Sequence, residues 1–103
     1  MTIQVIDIES MQKFSADEAQ HIVLHESEGL VTRLLCLEAG QGVGPCVMTE
    51  RVLYLVLAGQ AQLSVTGEQE QLLNANSLAV VPAGVTRSLS ALERSRVLAI
   101  QAP

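Results

Sequence analysis

Apolar positions along the chain come in short runs, VLYLVLA at 52–58, LAVV at 78–81 and VLAI at 97–100 among them, each closed by a glycine, a proline or a polar residue. That punctuation predicts an all-β sandwich or barrel. Strands are predicted over 20–26 and 30–38 around a turn at 27–29, and over 52–58 and 60–65 around Gly59, a position suited to a bulge or tight bend. Further strands follow at 71–73, 78–81, 86–91 and 96–101, with Thr66-Gly67 as a turn and Pro82-Ala-Gly84 as a break. Residues 2–8 are β-branched and predict one more strand, but with imperfect alternation: Ile3 and Val5 share a face with Asp7, while Ile6 and Ile8 lie on the other. A bulge after Val5, or partial cover of both faces, would reconcile the two sets. Within the polar stretch that follows, Ser15-Ala-Asp-Glu18 has the form of a capping box for a short helix, with an irregular crossing as the alternative. Residues 40–45, GQGVGP, carry three glycines and predict a loop.

Composition sharpens this picture. At 103 residues and 49% hydrophobic, the chain predicts a single domain over 1–103 with its own core. Phe14 and Tyr54 are the only aromatics, so that core is aliphatic. The net charge of −5, the scatter of the six basic residues and the lack of aromatic stacking platforms argue against nucleic-acid binding. No segment is long and apolar enough for a membrane span, and residues 1–11 do not have the form of a signal peptide, so the expected location is cytoplasmic. Cys36 and Cys46 are then expected as free thiols.

Residues 40–59, GQGVGPCVMTERVLYLVLAG, and 76–87, NSLAVVPAGVTR, resemble the two signature motifs of the cupin superfamily, G-x5-H-x-H-x3-E-x6-G and G-x5-P-x-G-x2-H-x3-N. Gly40, Gly59, Pro82 and Gly84 stand at the motif positions. Cys46 and Met48 occupy the places of the two histidines, Val52 that of the glutamate and Arg87 that of the last histidine; Asn76 and Ala91 replace the leading glycine and terminal asparagine. The resemblance covers nearly the whole chain. It implies a small single-domain cupin of the RmlC-like kind, a double-stranded β-helix or antiparallel jelly-roll barrel, with all four metal-ligand positions changed. If Cys46, Met48 and Val52 point inward as the family's ligands do, Tyr54 and Val56 share that face and Leu53, Leu55 and Leu57 face out. Such an outer face needs a cover, from the N-terminal strand or a second subunit. The resemblance to small cupins, which commonly pair their sheets, favours a homodimer.

The pocket that the resemblance implies is lined by Cys46, Met48, Val52, Tyr54 and Arg87. Valine cannot ligate, and arginine stays protonated and repels a cation, so no metal and no other cofactor is expected; two soft sulfurs would at most suit Cu(I). Met48, Val52 and Cys46 could equally be space-filling core. A guanidinium inside a barrel must be paired. Arg87 can capture a small anionic molecule such as a carboxylate. It can also pair internally with Glu50 or Glu38, or turn out at the barrel mouth, and these arrangements are the default. His21 and His25 stand four apart in a strand and share a face with Val23, where solvent-facing histidines are the expectation. Cys46 could be a reactive thiol, but no histidine stands at a known spacing to serve it. Tyr54 would match the acid/base phenol of the superfamily's metal-free sugar epimerases, whose partner histidine has no counterpart here. The sequence thus points to a metal-free, non-catalytic cupin binding a small molecule in the barrel, an anion being one candidate. A cupin-type enzyme with atypical ligands or a Cys46-based site, and an interaction module acting through its dimer, are the alternatives.

Overall fold

The computed structural model describes residues 2–103. Its elements are one helical turn, α1 (Ile8–Met11), and the strands β1 (Gln20–Ser27), β2 (Leu30–Leu37), β3 (Gly42–Cys46), β4 (Arg51–Ala58), β5 (Gln60–Val65), β6 (Gln71–Asn74), β7 (Leu78–Val81), β8 (Arg87–Ala91) and β9 (Ser95–Ala102). A five-stranded sheet, β1-β2-β9-β4-β7, faces a four-stranded one, β3-β8-β5-β6. Every neighbouring pair is antiparallel. β9 returns to lie between β2 and β4, so the sheets are joined by crossings between layers, as in a jelly roll.

Alternation explains which residues fill the space between the sheets. Val52, Tyr54 and Val56 of β4 are buried, while Leu53, Leu55 and Leu57 between them are only partly so. Leu35 and Leu37 of β2, Val97 and Ala99 of β9 join the same cluster from one sheet, and Ala61, Leu63, Leu89 and Ala91 from the other. The barrel core is therefore aliphatic with one tyrosine in it, as the composition requires.

A second apolar cluster lies on the outer face of the five-stranded sheet. Leu34, Cys36 and Leu24 are buried there, with Leu57 and Leu98 beside them and Ile6, Ile8 and Phe14 laid over them. The strand predicted over 2–8 does not form: these residues join no ladder, and the stretch ends in α1. Its role is to cover, with Ile6 and Ile8 turned onto the sheet and Ile3 and Val5 exposed. Imperfect alternation thus marked a lid segment and not a ladder strand. Residues 15–18 form no helix either; the segment crosses irregularly, and Ser15 Oγ accepts from the Asp17 amide. Phe14 is fixed further by the Arg94 guanidinium, 4.2 Å from its ring centroid.

The loop predicted over 40–45 is largely the strand β3, paired with β8. Its glycines permit the pairing. A Cβ on Gly42 would strike the Leu89 carbonyl oxygen, and one on Gly44, whose φ is +88°, would lie 2.6 Å from that of Arg87. Glycine here serves close approach of two backbones, not flexibility.

A candidate ligand pocket in the barrel

One end of the barrel is not filled. A cavity of about 230 Å³ lies between the sheets. Cys46, Met48, Val52, Tyr54 and Arg87 all line it. β3 supplies Cys46, the following turn Met48, β4 supplies Val52 and Tyr54, and β8 supplies Arg87. Cys46 and Arg87 are register partners in the ladder between β3 and β8. Cys46 is exposed, Met48 half-buried, and Val52 and Tyr54 are buried.

Arg87 dominates the site. Its side chain is 2% exposed, and its guanidinium carbon stands 5.9 Å from the centroid of the Tyr54 ring. The Nε and Nη1 atoms are buried and donate to nothing in the protein. The internal ion pair expected as the default does not form. Glu38 is held by Arg94, whose Nε and Nη2 each donate to one carboxylate oxygen at 2.7 Å. Glu50 accepts from Gln101 Nε2 at 3.2 Å. Arg87 is not turned out at the mouth either. No aspartate or glutamate lines the cavity. The face of the tyrosine ring is the one favourable neighbour in view, a cation–π contact at the outer limit of its range.

Tyr54 records this environment. Burial pushes its phenol above the ordinary value of 10.0, the Arg87 charge pulls it back down, and Cys46 adds a further upward push.

Three further polar residues line this cavity, His21, Arg33 and Gln101; the sequence read His21 as solvent-facing and placed neither of the others here. Arg33 follows the parity of Leu35 and Leu37 in β2 and so faces inward, where Arg33 Nη1 donates to Gln101 Oε1 at 3.4 Å. That parity was legible in the sequence; an inward charge simply ran against expectation. The histidines do not share a face. The ladder between β1 and β2 shifts register between Val23 and His25, leaving Leu24 as an extra residue. His21 is exposed but reaches the cavity. His25 is turned the other way, with its Nδ1 2.8 Å from Gln4 Oε1 and its Nε2 2.9 Å from Ser27 Oγ.

The donor set does not fit the divalent metal that the fold family commonly carries. Cys46 and Met48 offer two soft sulfurs, Val52 offers no donor atom, and Arg87 presents only N–H groups to the same space. Among the described residues no three His, Cys, Asp or Glu side chains stand together as a metal-ligand group. Also among them, no helix is long and apolar enough to cross a membrane.

No family model and no curated protein matches the sequence. Solved structures do match. The chain is similar to a protein from Thermus thermophilus, with a TM-score of 0.87 and 25% identity over 98% of each chain. It is also similar to an RmlC-like cupin from Desulfovibrio desulfuricans, with a TM-score of 0.89 and 18% identity over 99% of this chain and 98% of that one. A cupin superfamily protein from Desulfitobacterium hafniense aligns with a TM-score of 0.86 and 20% identity over 99% and 93% of the two chains.

Proposed function

We propose that this chain, a small cupin by its fold, is a metal-free, non-catalytic protein that binds a small anionic molecule in the barrel and pairs as a homodimer through its outer face. One observation carries the binding reading. A guanidinium that is 2% exposed, with two unpartnered nitrogens, lines a cavity that has no carboxylate in its wall. Leaving a buried charge without a partner costs roughly 3–5 kcal/mol. A carboxylate in the cavity would accept from Nε and Nη2, the same planar edge by which Arg94 holds Glu38. The apolar remainder of the wall, Leu35, Val43, Met48, Val52 and Ala99, suits the hydrocarbon part of such a molecule.

The test is calorimetric titration of butyrate into the protein and into Arg87→Met. The expected result is saturable one-to-one binding that the substitution abolishes. Equal binding by both proteins would contradict the reading. Elemental analysis of the purified protein is expected to find no stoichiometric transition metal; one equivalent lost on Cys46→Ala would contradict the metal-free part.

A second reading, an enzyme with a Cys46-based site, is favoured by a specific observation: His21 lines the same cavity as Cys46, although nothing in the sequence linked them. A thiol that an imidazole deprotonates can act as a nucleophile. Turnover of an electrophilic carboxylate, lost in both Cys46→Ser and His21→Asn, would establish it.

A further inference from the structure

Arg87 is not the only cation at this cavity. Arg33 lines it from β2, and among the described residues Arg94–Glu38 is the one ion pair, so Arg33 has no acidic partner. It donates instead to a neutral amide. Gln101 Nε2 donates to Glu50 Oε1 at 3.2 Å, which turns Gln101 Oε1 toward Arg33 Nη1. The Glu50 carboxylate thus stands one amide behind Arg33 and orients Gln101 without pairing the guanidinium.

The register places the two cations on opposite walls. Arg33, Ala99 and Tyr54 lie in one row across β2, β9 and β4. Arg33 and Tyr54 are therefore two strand spacings apart, roughly 10 Å between Cα atoms. Arg87 reaches down from the other sheet over the Tyr54 ring, 5.9 Å from its centroid. Between them the row holds only the methyl group of Ala99, so the strand that separates the two charges projects almost nothing into the space above it. A ligand with an acceptor at each end would meet one guanidinium from each sheet.

From this arrangement, and resting on the anion-binding reading above, we infer that the ligand is a two-ended dianion: two carboxylates joined by a short apolar spine, one end on Arg87, the other on Arg33, with the spine lying over Ala99. Recognition of each end is a charge-assisted hydrogen-bonded contact. Losing one such end costs about tenfold or more in affinity, taking ~1.5 kcal/mol as the low end for a bond to a charged group.

The experiment titrates succinate, glutarate, butyrate and inorganic phosphate into the intact protein at matched ionic strength, and repeats the series with Arg33→Gln and Arg33→Lys. The expected result is at least about tenfold tighter binding of one of the dicarboxylates than of butyrate or phosphate. Arg33→Gln is expected to erase that preference while butyrate still binds. Arg33→Lys keeps the charge and is expected to retain part of the preference, which also guards against misfolding of the glutamine variant. Butyrate binding as tightly as both dicarboxylates, or a preference that survives in Arg33→Gln, would overturn the two-ended ligand and leave the Arg87 site standing. Phosphate as the tightest ligand would overturn it in favour of a single compact dianion. Binding of none of the four would overturn both this inference and the anion-binding reading beneath it.

Discussion

Arg87 and Tyr54 form a unit in which each reports on the other. Arg87 has no acidic partner, so removing its charge strands no carboxylate. Replacing it by methionine, a flexible side chain of similar length, relieves the burial of an unpaired charge and keeps the volume. Arg87→Met is therefore expected to melt no lower than the parent protein. A loss of more than about 3 kcal/mol, the usual result of breaking a buried pair, would show that an acid holds Arg87 after all. Tyr54 is the only tyrosine in the chain, so phenolate absorbance follows it alone. Its folded-state value is raised, chiefly by burial. Stability from this group is then fully present below the ordinary value of 10.0 and falls as pH climbs through the higher folded value. Thermal melts above pH 10 should show that loss, and Tyr54→Phe should remove it. Because the Arg87 charge pulls the phenol down, Arg87→Met should move its absorbance midpoint higher still. An unchanged midpoint would mean that the two side chains do not feel each other.

At the scale of elements, β3 holds the site together. It carries Cys46 and lies against β8, which carries Arg87. Gly44 combines a φ of +88° with a spacing that puts any Cβ 2.6 Å from the Arg87 carbonyl oxygen. Gly44→Ala should cost about 1–3 kcal/mol from the left-handed backbone alone, with β3 lifted from β8. Chemical unfolding measures this, and a change below about 0.5 kcal/mol would contradict it. This strand also shows where sequence was hard to read. Strands β4, β5, β7 and β9 announce themselves by apolar runs between turn residues, and their predicted bounds fall within a residue or two of the observed ones. β3 reads GVGPC, and nothing in it distinguishes glycines that permit close packing from glycines that make a loop. The reverse error arose over 2–8, where β-branched residues suited a strand but serve as a lid over Leu34 and Cys36. The bulge at Leu24 was likewise silent, and it alone separates His21 from His25. In the site, motif spacing and strand parity assigned inward positions to Cys46, Met48, Val52, Tyr54 and Arg87, residues that line one cavity. They could not say whether Arg87 was paired, because that depends on where Glu38 and Glu50 fall in space. Glu38 went to Arg94 and Glu50 to Gln101.

For the whole molecule, the lid leaves the outer face of the five-stranded sheet half covered. Leu57 packs in one cluster with Ile6, Ile8 and Phe14 of the N-terminal segment, one of the two covers that the sequence allows. Leu53 and Leu55 stay half-buried, beside Val80 and Leu78 of the edge strand β7, which are 59% and 56% exposed. Ile100 pairs with Leu53 from the other side. A contiguous apolar surface of this kind is what an association face provides. Sedimentation at micromolar concentration should find a dimer, and Val80→Glu should shift it to monomer without lowering secondary structure. A monomeric parent protein would remove the dimer from the account and leave the pocket unaffected. The most direct test of the pocket itself is to watch the Arg87 Nε–H by nitrogen-15 NMR during a carboxylate titration, the resonance being assigned by its loss in Arg87→Met. The account predicts a saturable downfield shift of that one buried guanidinium as its free donor finds an oxygen. A resonance that stays in place while carboxylate is added to saturation of every other site would contradict it.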